Sequence, residues 1–383
     1  MNISLFEDNE IDTFFPFTLT RHLAELRWGA LTIKEKWERR GHSVRLHSNR
    51  NWMGDGTPAV QHELYVNAAC CPTKEFIDEI FQLQTGEGIK SGEKVLAFRG
   101  DMANLFSMQF KESQATFQLL TQRTDLFSQI SSQLEQDMSF CLPGNSASLA
   151  SGNLQIGDGF PLYISPNAKV NGAMLNVTEG PIWIDDDAEI MEGSLIRGPF
   201  YLGKHSTVKM GAKIYGPTAI GPHCKVGGEL GNVSFQGYSN KAHDGFLGNS
   251  VIGQWCNLGA DTNCSNLKNN YSLVKQYNYR TRKEESTGLN FCGLMMGDYS
   301  KCGINTMWNT GSVVGVSVNF YGAGFPKKFL PNFYWGDANH GERYDLEKAL
   351  ETISIVKRRR GLELSQKEKE ILTDLHAQSV VSE

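Results

Sequence analysis

The feature that most constrains this chain is a spacing. Aliphatic residues recur every sixth position at Ile184, Ile190, Ile196, Leu202, Val208, Ile214, Ile220 and Val226. A small residue sits four places after most of them: Ala188, Ser194, Ser206, Ala212, Thr218 and Cys224. The register appears earlier at Ile164 and Val170. It resumes at Ile252 and Leu258, and again at Met296, Cys302, Trp308, Val314 and Phe320. No α-helix has a period of six. Short strands joined by tight turns and wound into a parallel coil do have it, with one aliphatic side chain inside per repeat. The small residue turns the corner, and glycines such as Gly203, Gly221 and Gly227 are expected to supply positive φ. The 39 glycines among 383 residues agree with so many turns.

The rest of the chain divides around this coil. Residues 1–145 read as an α/β domain: strands at Ile3–Phe6, Glu63–Val66 and Lys94–Phe98, and helices over Thr32–Arg39, Thr73–Leu83 and Phe127–Asp137. Residues 150–335 form the β-helix. Residues 336–383 form a helical segment, with Tyr344–Arg360 amphipathic and Ser365/Glu368 a capping box.

Composition excludes several classes. A net charge of −5 gives no basic footprint for nucleic acid. No apolar run is long enough for a membrane span. Met1–Asp8 lacks the basic start of a signal peptide, and the eight cysteines show no metal or disulfide spacing. A cytoplasmic protein with reduced thiols is expected.

A regular solenoid is only a scaffold, so chemistry is sought where the repeat lapses. It lapses at Glu229–Ser250 and again at Cys264–Asn290, which must leave the coil as a loop. The first lapse holds Lys241-Ala242-His243, then Phe246-Leu247-Gly248-Asn249 and Ile252-Gly253. Asn257-Leu258-Gly259-Ala260-Asp261-Thr262 and Asn266 follow. This stretch resembles the acetyltransferase domain of the bifunctional N-acetylglucosamine-1-phosphate uridylyltransferase/glucosamine-1-phosphate N-acetyltransferase (GlmU) family.

The resemblance implies a left-handed parallel β-helix, a homotrimer, acetyl-CoA as donor and an amino sugar phosphate as acceptor. It makes His243 the catalytic base, with Glu229 nearest the family's acidic position. Lys241, Phe246, Asn257, Asn266 and Lys268 become substrate contacts. Phe246 stands where the family has a tyrosine, and the family's phosphate-binding arginine is missing near Tyr215.

The chemistry is reasonable in its own terms. Imidazole can take the proton of an attacking amine near neutral pH, and a carboxylate (Glu229 or Asp244) can orient it. Backbone N–H groups around Gly259 and Ala260 are oxyanion and cofactor candidates. Lys327 and Lys328 are candidates for the coenzyme A phosphates, as are Arg280 and Arg282. His205 and His223, three repeats apart, should stack. Two such rings supply no three-ligand metal site.

In the N-terminal domain, Phe15-Pro16-Phe17-Thr18-Leu19-Thr20-Arg21 resembles a segment of sugar nucleotidyltransferases, but the glycine-rich phosphate loop is absent. Arg21, Arg27 and Lys36 are the nucleotide-contact candidates there. Mg²⁺ would accompany any uridylyl transfer from UTP, and its ligands are not evident. The alternatives to a monofunctional acetyltransferase are thus a bifunctional enzyme and a non-catalytic nucleotide-sugar-binding scaffold.

Overall fold

The computed structural model describes residues 2–50, 63–142 and 144–379. They form two compact units. The first comprises residues 1–14, 20–26 and 31–123, and the second residues 15–19, 27–30 and 124–383.

The first unit is built on a six-stranded sheet. Strand Asn2–Phe6 lies between Ser43–His47 and Leu64–Asn67, all parallel. Lys94–Arg99 runs antiparallel beside Leu64–Asn67. Helix Ile33–Arg39 starts at Thr32, whose side chain accepts from the Glu35 N–H while Glu35 returns the bond. Thr73 caps Lys74–Phe81 in the same way, without the return bond. Both helices and the three expected strands form where the sequence places them.

The second unit is the parallel β-helix. Its three faces are stacks of two- and three-residue strands in register. On one, Ile184 pairs with Leu202, Leu202 with Ile220, Ile220 with Phe235 and Phe235 with Ile252. Met296, Val314 and Leu330 continue the column. A second column runs Leu175, Ile196, Ile214, Leu230, Leu247. These side chains form one continuous buried core. The corner residues Ala188, Ser194, Ser206, Ala212, Thr218 and Cys224 are all fully buried.

One expectation is corrected. Gly203 and Gly221 do not have positive φ. They are glycines because the next coil passes too close: a Cβ on Gly221 would lie 2.6 Å from the Phe235 carbonyl oxygen. Several positive-φ corners are held instead by Asp187, His205, His223, Tyr238 and Trp255. Glu229–Ser250, where the six-residue register lapses, stays within the coil. It becomes two nine-residue strands, Glu229–Gly237 and Phe246–Gln254, that pair along their length across two faces. Helix Ile130–Cys141 lies in the second unit. Asp137 accepts from the Ala30 N–H (2.9 Å), and the Trp28 indole N–H donates to the Asp125 carbonyl (3.2 Å).

Cys264–Asn290 does emerge as a loop. Within it Lys275–Asn278 and Lys283–Ser286 form an antiparallel hairpin. The two C-terminal helices run over Leu346–Arg358 and Gln366–Gln378. Ser365 and Glu368 make the expected capping box. All eight cysteines are free and buried.

Candidate active site

The two long strands set the site. The face that holds Leu175, Ile196 and Ile214, taken as the first face, presents a side chain at the third position of each strand: Asn176, Arg197, Tyr215. Gly231 and Gly248 continue this column without side chains. A cleft of about 420 Å³ opens above them, lined by Tyr215, Gly231, Asn232, Phe246, Asn249, Asn266 and Phe291. The glycines make the room. A Cβ on Gly248 would lie 2.6 Å from both the Phe246 ring and the Asn266 carboxamide.

Asn232, Asn249 and Asn266 occupy one corner of three successive coils, seventeen residues apart, one short of the eighteen between Val208 and Val226. Asn232 and Asn249 adopt positive φ, and Asn266 donates to Asn249 at 2.7 Å. The Tyr215 hydroxyl donates to Glu229 at 2.5 Å, and this bond is the main reason its phenol is pushed up to about 12. Tyr215, Asn232, Asn249 and Phe291 were not expected from the sequence. The seventeen-residue asparagine spacing is the signal that would have found three of the cleft's members.

His243 lies on the turn between Asn240–Lys241 and Phe246–Gln254, and its side chain is exposed. The turn abuts the preceding coil, where the Glu229 N–H donates to the Gly245 carbonyl at 3.2 Å. The Glu229 carboxylate is engaged by Tyr215, and no hydrogen bond joins it to His243.

Thus Phe246 and Asn266 share the cleft, with Glu229 at its edge through Tyr215. Asn257 does not: it is exposed on the third face, paired with Asn240 and Lys301. Lys241 is buried inside the coil and lines no surface. Lys268 donates to the Leu273 carbonyl within the inserted loop (2.9 Å). Lys328 pairs with Glu284 of the hairpin (3.4 Å), and Lys327 is exposed. The Gly259 N–H is spent on the Cys302 carbonyl (3.1 Å), so it is not the free oxyanion donor expected. Its Cβ position lies 2.4 Å from Gly303 backbone, which explains the glycine. Ala260 is half-buried beside it.

His205 and His223 stack as expected, with ring centroids 4.8 Å apart. Tyr238 and Trp255 continue the column at 4.6 and 4.2 Å. Rings lying face to face do not converge their nitrogens on one ion. Among the described residues no group of three His, Cys, Asp or Glu could hold a metal.

In the first unit the place to look for a nucleotide is the crevice at the carboxyl ends of the parallel strands. Glu7 and Asp8 stand there. Glu7 accepts from the Leu23 N–H (2.8 Å), the Ser48 hydroxyl (2.5 Å) and the Arg50 guanidinium. Asp8 accepts from Asn67 (2.9 Å) and pairs with Lys94 (3.2 Å). Asp101, which follows strand Lys94–Arg99, caps its own helical turn at the Ala103 N–H. These carboxylates are bound by the protein's own donors and do not fit a Mg²⁺. Arg21 and Lys36 are buried in this unit, and Arg27 is buried in the other. The Arg27 backbone N–H donates to Gln236 Oε1 (2.6 Å), and its carbonyl accepts from Gln236 Nε2 (2.9 Å). The expected nucleotide contacts are therefore not accessible cations.

No helix among the described residues is long and apolar enough to cross a membrane. Residues 3–145 match the family model described as sugar nucleotidyl transferase. No curated protein matches the chain. Among solved structures, it is similar to the polysialic-acid-specific acetyltransferase NeuO at 12% identity and a TM-score of 0.30. That match covers 50% of this chain and 83% of the other. A putative acetyltransferase from Bacillus cereus matches at 14% and 0.29, covering 55% and 99%. A mutant of the N-acyltransferase AntD from Bacillus cereus, solved in complex with dTDP and coenzyme A, matches at 13% and 0.23, covering 53% and 93%. Likeness at this level carries nothing about substrate.

Proposed function

We propose that this chain is an acetyl-CoA-dependent N-acetyltransferase acting on an amino sugar phosphate, glucosamine-1-phosphate being the first acceptor to test. The observation that carries the reading is the exposed His243 turn, three residues before Phe246 of a cleft lined by three carboxamides and three aromatic rings. Carboxamides and aromatic faces suit a sugar ring: the former bond hydroxyls, the latter cover its apolar face. In the step proposed, the acceptor nitrogen attacks the thioester carbonyl, and a C–N bond forms as the C–S bond breaks. His243 takes the amine proton and returns it to the departing thiolate.

A homotrimer belongs to the same reading. Leu154, Met174 and Leu195 form an apolar stripe on the first face, each more than two-fifths exposed, which a second copy would cover. Asn257, away from the cleft on the third face, joins the acceptor site if a neighbouring copy completes it.

The test is coenzyme A release from acetyl-CoA with glucosamine-1-phosphate, for wild type and His243→Ala, with molecular mass measured by light scattering. Release that requires acceptor and His243 supports the proposal, and its absence from a folded oligomer refutes it. The family-model match favours a second reading in which the first unit also transfers a uridylyl group. The occupied carboxylates Glu7 and Asp8 oppose it, and pyrophosphate release from UTP with Mg²⁺ decides.

A further inference from the structure

One residue breaks the chemistry of the coil interior. On the third face the inward column runs Ile190, Val208, Val226, Lys241 and then, past Leu258, Cys302 and Phe320. At every other level this column is apolar or a thiol, and Val226 is paired directly with Lys241. Lys241 is 1% exposed. Burying an ammonium among aliphatic side chains is costly, and it persists only where the charge has partners.

Its partners are three backbone carbonyls. The ammonium donates to His243 at 2.8 Å, to Asp244 at 3.2 Å and, on the coil below, to Gly227 at 3.2 Å. Two of the three belong to the turn that carries His243, and the third to the coil that turn rests on. A turn of this kind leaves carbonyls facing inward with no strand to pair them, because the coil is shortened here: Val226 meets Lys241 after fifteen residues, whereas Val208 meets Val226 after eighteen.

Resting on the acyl-transfer reading above, we propose that Lys241 is a positioning residue: its interior ammonium pins the His243–Asp244 turn to the Gly227 coil and so fixes the imidazole at the edge of the cleft. It touches neither substrate nor cofactor. Because it holds the turn by three N–H bonds, it does so only while protonated. A neutral amine has two hydrogens, and its lone pair faces a carbonyl. Burial lowers the Lys241 ammonium to about 8, with Asp244, Asp261 and the Cys302 thiol acting in the opposite direction. The turn is therefore expected to loosen on the alkaline side.

Lys241→Met keeps the length and suits the apolar column. In the full chain it is expected to fold and bind the acceptor with KM within about threefold of wild type, while kcat at pH 7 falls tenfold or more. Wild-type kcat is expected to decline above pH 8, and the variant's lower kcat to show no such decline. A folded Lys241→Met with wild-type kcat and the same alkaline decline overturns the proposal.

A second readout is independent of activity: the backbone amide resonances of His243 and Asp244 in wild type. They should shift with a midpoint near pH 8, a shift that the variant lacks. If wild type transfers no acetyl group to any amino sugar, the functional reading fails, and this titration alone judges the role of Lys241. It likewise decides if Lys241→Met does not fold, since a wild-type spectrum unmoved between pH 7 and 9.5 refutes the pinning.

Discussion

The reason for a glycine inside a coil can be separated by two substitutions. Gly221 ends strand Thr218–Ile220 with ordinary φ. A Cβ there would lie 2.6 Å from the Phe235 oxygen, 2.7 Å from the Gln236 oxygen and 2.8 Å from the Gln236 carbonyl carbon. All three are backbone atoms of the next coil, so no side chain can swing away. The coils must part, which stretches the bonds from Gly221 N–H to the Phe235 carbonyl (2.9 Å) and from Tyr238 N–H to the Pro222 carbonyl (2.8 Å). Overpacking costs ~1–3 kcal/mol, and each ladder bond weakened adds up to about 1 kcal/mol. Gly221→Ala is therefore expected to cost about 3 kcal/mol. Gly211 is the contrast: φ is +69° and nothing lies within 4 Å of its Cβ position. Alanine there meets only the left-handed backbone penalty, ~1 kcal/mol. For a unit of this size 1 kcal/mol moves Tm by about 2–4 °C. Thermal unfolding followed by circular dichroism should thus show Gly221→Ala falling about 6–12 °C and Gly211→Ala about 2–4 °C. If Gly211→Ala costs as much as Gly221→Ala, backbone conformation rather than coil spacing selects these glycines, and the reasoning is wrong.

Other consequences are open to direct measurement. Gly248→Ala fills the cleft floor, and should raise the acceptor KM at least tenfold in the coenzyme A release assay with little change for acetyl-CoA. Glu229→Ala removes the acceptor of the Tyr215 hydroxyl, the main cause of its raised pKa, and with it the carboxylate charge, so the Tyr215 phenol should fall from about 12 toward the ordinary tyrosine value, read as ultraviolet absorbance against pH. Both side chains are partly exposed, so stability should stay within about 0.5 kcal/mol of wild type. Glu7→Gln leaves Arg50 without its carboxylate, and should lower the stability of the first unit by about 2 kcal/mol, seen as a shift in urea midpoint.

The coil was legible because its period is set by the inward side chains, and those are aliphatic wherever a coil is regular. The caps at Thr73 and Ser365 were legible for a similar reason, since each satisfies N–H groups within its own first turn. Glycine was read less well. Glycine tolerates both positive φ and close approach, and one sequence does not say which is required. Several of the corners that need positive φ are taken by Asp187, His205, His223, Tyr238 and Trp255. The rings of the last four then gain a stack along the coil edge. His243 and Phe246 could be located by motif. The partners of Lys241 could not, because its contacts are backbone carbonyls and carry no sequence signature.

The lapses in the repeat have different physical meanings. The second is an insertion: the hairpin leaves the coil and is held from outside by Tyr277 stacked on Phe329 at 3.7 Å and by Lys328 paired with Glu284. Its removal would leave the ladder from Ile252 to Met296 intact, since those strands already pair directly. The first lapse deletes residues from the coil instead of adding them. A shortened coil must replace two corners with continuous strands, and it leaves inward carbonyls that no neighbouring strand can reach. Only an interior donor can meet them, so the ammonium of Lys241 and the turn of His243 belong to one structural event. A variant that restored the eighteen-residue length by inserting three residues between Val226 and Lys241 would remove the need for the lysine. In that background Lys241→Leu should stabilise the β-helix, whereas in the native coil the same change should not. The difference in unfolding midpoint between the two backgrounds measures how far the charge is retained for the turn.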